Sequence, residues 1–212
     1  MRETIAGLRS SEVQVIVSDF GGVVCTFDYR IFCQRLAERT GLSSEAIHAC
    51  AFGCGLQTQL ESGQLTGATY HRRLMEQLGI AIPYDEFCDL YGDIFTEIPG
   101  MLGVLRRLQT RYPLVLLSDT NEIHFGFVRR RVESLRLFDH LVLSYEVGVM
   151  KPDPRMYEEV VRRARVPAQA CLFMDDRLAN VEGAKRLGMH AFQFESVGQC
   201  LVRMKELGVV LP

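Results

Sequence analysis

Apolar residues fall along this chain in two rhythms, and the change between them divides it. Five short stretches, 13–18, 114–118, 141–143, 170–174 and 190–192, are nearly continuously apolar. Such runs read as strands buried on both faces, the mark of a parallel sheet. The stretch from 28 to 96 follows a helical rhythm instead. Within 29–40, Ile31, Phe32, Leu36 and Ala37 recur at helical spacing, and Gly41 follows as a stop. Ser43, Ser44 and Glu45 open a second helix, 66–78 forms a third ended by Gly79, and 84–95 a fourth that fades before Pro99 and Gly100. From Pro99 onward helix and strand alternate, with helices predicted over 101–109, 122–132, 154–164, 180–187 and 197–207. Alternation of that kind predicts an α/β fold, a Rossmann-like parallel sheet with helices on both faces. The expected organisation is a discontinuous core, 1–25 plus 97–212, with a four-helix insertion over 26–96.

The apolar runs share a second property: polar groups follow them. Asp19 stands at the end of the first run, with Gly21 and Gly22 next. Ser118, Asp119 and Thr120 end the second, Lys151 and Pro152 lie beyond the third, and Asp175 and Asp176 follow the fourth. Ligands of open α/β sheets bind outside the carboxyl ends of the strands. Three carboxylates, a hydroxyl and an ammonium gathered there describe a site for a phosphoryl group and a divalent cation. The insertion starts directly beside Asp19, so its helices are expected to lie over that site and exclude water from it.

Composition narrows the partners. The chain has 212 residues, 48% hydrophobic and 24% charged, with a formal net charge of −2. It has no basic stripe of the kind a nucleic-acid partner would require, and no apolar run approaches the roughly 18 residues that span a bilayer. The first twelve residues carry charge but lead into no signal-like apolar segment, so a cytoplasmic protein is expected. Seven cysteines, an odd number without a Cys-x-x-Cys pair, read as reduced thiols acting as small hydrophobes. Cys50 and Cys54 stand four apart, half a metal site at most, with no second pair to complete it. Composition does not indicate an oligomeric state.

Taken in order, Asp19-Phe20-Gly21-Gly22-Val23-Val24, Ser118, Lys151-Pro152, and Asp175-Asp176 with Asn180 resemble the four motifs of the haloacid dehalogenase superfamily. The likeness covers essentially the whole chain, and the insertion resembles that superfamily's four-helix cap. Ser118–Asn121 and 150–154 look most like the bacterial sugar-phosphate phosphatases of the glucose-1-phosphate type. The resemblance implies a Mg²⁺-dependent phosphatase of small phosphorylated metabolites. Asp19 would be the nucleophile, forming an aspartyl-phosphate. Asp19, the Gly21 carbonyl and Asp175 would hold Mg²⁺. Lys151 would supply fixed positive charge, and Ser118, with Asp119, Asn121 and Gly22, would bind the phosphoryl group or substrate. Asp176 and Asn180 would orient the metal ligands or Lys151. Specificity would sit in insertion residues such as Tyr29, Phe52, Gln57 and Gln59.

One position departs from the superfamily pattern. Its phosphatases usually carry a second Asp two residues after the nucleophile, and here that residue is Gly21, which the sugar-phosphate phosphatases that the chain resembles tolerate. A glycine carbonyl can still bind a metal, but no side chain remains to move a proton, help typically worth about 10²–10⁴ in rate. Asp28 is one candidate replacement, and a sugar 1-phosphate, whose leaving group needs less protonation, fits the gap. A catalytically weakened phosphate-binding or regulatory module, or a metal-independent haloacid dehalogenase, are the competing functions. His124, in the helix after Ser118, reads as structural or exposed rather than catalytic. Asp19-Phe20-Gly21 spells a kinase motif without the Gly-rich loop that should precede it. No G-x-G-x-x-G supports a dinucleotide site.

Overall fold

The computed structural model describes residues 13–211. The charged stretch 1–12, on which the cytoplasmic expectation rests, lies outside them. Five parallel strands form the central sheet in the order β5-β4-β1-β6-β7. They are β1 (Val15–Ser18), β4 (Leu114–Ser118), β5 (His140–Leu143), β6 (Cys171–Asp175) and β7 (His190–Gln193). Strand periodicity sorts their side chains onto two faces. Ile16, Leu114, Leu116, Leu172 and Met174 enter one core, while Val15, Val17, Val115, Leu117 and Phe173 enter the other. Helices α6 (Met101–Gln109), α7 (Glu122–Arg131) and α11 (Val197–Glu206) cover the first face with Leu105, Val128 and Met204. Helices α9 (Pro154–Ala164) and α10 (Leu178–Arg186) cover the second with Tyr157 and Val181. Burial on both faces is why the strands carry no polar alternation. A four-residue helix α8 (Ser144–Val147) follows β5 directly.

Between β1 and α6 the chain builds a separate apolar cluster. Its helices are α1 (Tyr29–Thr40), α2 (Ser44–Phe52), α3 (Leu56–Glu61), α4 (Gly67–Leu78) and α5 (Tyr84–Gly92). Phe32, Ile47, Leu60, Leu74 and Tyr91 pack together there, joined by Ile123 from α7. Asp28, Ser43 and Thr66 cap α1, α2 and α4 by accepting backbone N–H bonds, as short oxygen-bearing side chains at helix starts do.

The structure departs from the sequence expectation in three places. The insertion has five helices, because Gly55 and Ser62 bracket the extra six-residue helix α3. Helix α5 stops at Gly92, and Phe95–Glu97 is a strand, β3, antiparallel to β2 (Cys25–Phe27). Three residues per strand are too few to show alternation. Helix α2 ends at Phe52, so Cys54 lies beyond it and is exposed, not a buried hydrophobe; its thiol donates to the Cys50 carbonyl. All seven cysteines are unbridged. No described helix is long and apolar enough to cross a membrane.

Candidate active site

Strand β1 is the middle strand, and its neighbours β4 and β6 run parallel to it. Their carboxyl ends therefore deliver three groups side by side. Asp19 follows β1, Ser118 is the last residue of β4, and Asp175 the last of β6. Lys151 comes from the loop between α8 and α9 and closes the cluster. Its buried ammonium lies 2.8 Å from Asp19 Oδ1 and 2.7 Å from Asp175 Oδ2, and donates to the Leu117 carbonyl at 3.0 Å. An ammonium has three donors, and these partners use all of them. Its charge is thus fixed in place. Burial works against that charge, and Asp19 and Asp175 more than restore it, so Lys151 stays protonated.

Asp19 Oδ1 also accepts the Phe20 amide at 2.7 Å. Among the described residues no hydrogen bond engages Oδ2, which leaves that oxygen for a ligand. Burial pushes the Asp19 carboxyl up, and Asp175 adds to the push against the pull of Lys151. Asp175 is oriented from three sides. The Asn180 amide donates to both its oxygens at 3.0 Å, and the Arg177 N–H to Oδ1 at 2.8 Å.

Asp19, Asp175 and Asp176 each present an oxygen within 4.8 Å of the others. Three carboxylates against one ammonium leave excess negative charge in a buried place. Octahedral bonds of about 2.0–2.1 Å put ligand oxygens roughly 3–4 Å apart, so the donor set suits a hard divalent cation. Gly22 makes the close approach possible. Its φ is +76°, and a Cβ there would overlap the Asp176 carboxylate.

Two small cavities adjoin this cluster. One of about 140 Å³ touches Asp19, Asp119 and Asp176, and one of about 50 Å³ touches Ser118, Thr120 and His124. Gly21, Phe27, Tyr29, Glu61 and Asp119 line both. A groove of about 430 Å³ between α1 and α2 is larger, but it is lined by none of these groups.

The sequence profile of haloacid dehalogenase-like hydrolases matches residues 13–188. This chain belongs to that family. Over 192 residues it is 27% identical to a D-ribitol-5-phosphate phosphatase of Bacteroides thetaiotaomicron, covering 87% of this chain and 93% of that one. A crystal structure of a haloacid dehalogenase family enzyme from the same organism, complexed with magnesium and inorganic phosphate, superposes with a TM-score of 0.77. It is 23% identical and covers 87% of this chain and 96% of its own. An L-2-haloacid dehalogenase from Xanthobacter autotrophicus shares the fold at a TM-score of 0.65 and 17% identity, over 94% of this chain and 85% of its own.

Asp19, Ser118, Lys151 and Asp175 of this hydrolase meet as the strand-end pattern predicts. Other expected site residues have different work. Asn121 is buried as the N-cap of α7, its carbonyl oxygen accepting the Ile123 and His124 amides and its NH₂ meeting His124 Nδ1. Both ends of its side chain are thus engaged within the first turn of α7. The Gly22 N–H donates to the Cys25 carbonyl at 2.8 Å, closing a turn. Asp119 Oδ1 accepts the Lys151 backbone N–H at 2.9 Å and so fixes the lysine loop. Asp28 caps α1 and is paired through both oxygens with Arg30, which holds it below the usual carboxylate range. It lines neither cavity. Asp176, expected to orient the metal ligands, presents an oxygen within 4.8 Å of Asp19 and Asp175, while Asn180 orients Asp175.

On the insertion side, Tyr29 lines both cavities and Phe52 supports its ring, with centroids 4.3 Å apart. Gln57 stands behind them, donating to the Tyr29 hydroxyl at 2.6 Å and to Glu61 Oε1 at 2.7 Å. Gln59 lines neither. Glu61 and Phe27 escape a sequence reading; the clue to Glu61 was its position four residues after Gln57, on one helix face.

Proposed function

We propose that this hydrolase is a Mg²⁺-dependent phosphatase of small phosphorylated metabolites, sugar phosphates among them, acting through an aspartyl-phosphate on Asp19. The observation that carries the reading is the Lys151 ammonium held between Asp19 and Asp175, with Asp176 beside them. Asp19, Asp175 and Asp176, with the Gly21 carbonyl, would hold the cation. Bound there, Mg²⁺ supplies Lewis-acid neutralisation of phosphoryl oxygens. The carboxylate of Asp19 attacks phosphorus. Lys151 offsets the charge of the incoming dianion and keeps Asp19 oriented. The Ser118 hydroxyl binds a phosphoryl oxygen. Residues 26–96 act as a cap that excludes water and selects the leaving group through Tyr29 and its neighbours. The phosphatase relative that matches nearly full length supports the substrate class.

Dehalogenation at carbon has no use for three clustered carboxylates, although that fold is shared. The test is phosphate release from a panel of sugar and alcohol monophosphates, with Mg²⁺ and with chelator. Wild type should turn over only with the metal, and Asp19→Asn should lose at least about 10³-fold. Metal-independent chloride release from 2-haloacids in place of phosphate release would refute the reading. Phosphorylation of Asp19 without turnover would point instead to a regulatory module.

A further inference from the structure

Position 21 has no side chain, and the structure shows that its space is taken. A Cβ built on Gly21 would lie 2.8 Å from Cε1 of Phe27. Proton handling therefore has to come from elsewhere. Asp28 is held as an anion by Arg30, Asp119 is engaged by the Lys151 amide, and Asp19, Asp175 and Asp176 form the cation-holding set. Asp119 also borders both cavities, but from the sheet side; among the carboxyls of the insertion one borders them. Glu61, the last residue of α3, borders both of them and faces the cluster from the insertion side.

Its position is set from two directions. Gln57, one turn earlier, donates to Oε1 at 2.7 Å while its other N–H holds the Tyr29 hydroxyl. Two residues later the chain turns at Gly63, φ +70°, so close to the core that a Cβ would overlap the Tyr145 carbonyl oxygen of α8. Helix α3 is thereby seated against the sheet domain. Among the described residues no hydrogen bond engages Glu61 Oε2.

We propose that Glu61 is the general acid and base of the reaction, reaching the leaving oxygen from the helical insertion; this rests on the phosphatase reading. As the Asp19 carboxylate oxygen bonds to phosphorus, the bond to the leaving oxygen breaks with its electron pair. Glu61 gives that oxygen its proton, and a neutral alcohol departs. The Glu61 carboxylate then takes a proton from a water molecule as the water oxygen bonds to phosphorus. The bond between phosphorus and Asp19 breaks, the Asp19 carboxylate returns, and Glu61 is again protonated. Burial pushes the Glu61 carboxyl up to about 7; Gln57 and Arg177 oppose this and Asp119 adds to it. A group that gives and then takes a proton near neutrality works best in that range. The other titratable groups on the same cavities are Asp119, Arg177, Tyr29, His124, Asp19 and Asp176.

The test uses the full chain with Mg²⁺ and a series of aryl phosphates from p-nitrophenyl to phenyl phosphate, none of which has sugar hydroxyls. Glu61→Gln should lower kcat/KM for phenyl phosphate by about 10²–10⁴-fold, and for p-nitrophenyl phosphate by less than about threefold. Nitrophenolate should then appear as a burst equal to the enzyme concentration, followed by slow turnover, because the second step lacks its base. Asp28→Asn should leave the series unchanged. A loss equal at every leaving group, or none at all, would overturn the role of Glu61 and leave the phosphatase reading intact. A folded wild type that releases phosphate from no member would take both away.

Discussion

His124 has one tautomer available to it. Nε2 meets the Tyr91 carbonyl oxygen at 3.1 Å and so carries the proton, leaving Nδ1 to accept from Asn121 at 3.0 Å. The ring stacks on Tyr91 with centroids 4.3 Å apart and is buried. Protonation would set an N–H against the Asn121 amide, and burial pushes the imidazole down from 6.5 to about 3. A depressed folded value means that the unfolded chain binds the extra proton first. The stability from a neutral His124 is therefore complete above about 6.5 and lost as pH falls toward 3. Glu61, whose value is raised, has the opposite slope, so the informative quantity is the difference between proteins. Urea unfolding at pH 7 and pH 5 should show wild type losing up to roughly 1.4 kcal/mol per pH unit more than His124→Gln. At this scale the sequence spoke clearly where strand ends fixed the direction of a side chain, as at Asp19 and Asp175. It assigned Asn121 and Asp119 to the substrate, although a polar residue at a helix start can cap the helix or face the site, and packing decides which.

Among the elements, α3 and the β2–β3 ribbon were hidden and both matter. Each is too short for periodicity to register, and α3 lies between Gly55 and the Ser62-Gly63 turn, which read as loop. The path of α3 depends on the turn at Gly63, where a side chain would meet both a positive φ and the Tyr145 carbonyl. Left-handed backbone at a non-glycine residue costs about 1–3 kcal/mol, and the collision adds to it. Gly63→Ala should tilt α3 away from the sheet and lower kcat/KM at least about tenfold, the equivalent of 1.4 kcal/mol. The core built on β1, β4 and β6 should keep its melting temperature, which circular dichroism would check. The long helices and the five-stranded sheet were legible because their apolar residues repeat with a clear period or run unbroken.

For the whole molecule, the governing quantity is the charge gathered at the sheet's carboxyl edge. Three acidic groups around a single ammonium repel one another until a cation arrives. A cation bound only by the folded state stabilises it by about 2.7 kcal/mol at a hundred times its dissociation constant. Thermal unfolding should therefore shift upward with Mg²⁺ and return with chelator, and Asp176→Asn should blunt the shift. The β2–β3 ribbon carries a different consequence. Phe27 and Phe95 stand opposite each other across it, so the chain departs for the helical block and comes back at neighbouring points. Whatever length of polypeptide is strung between those two phenylalanines, the spacing of the sheet strands is untouched. Evolution, or an engineer, can graft a different lid onto that doorway and give the same reacting centre a new clientele.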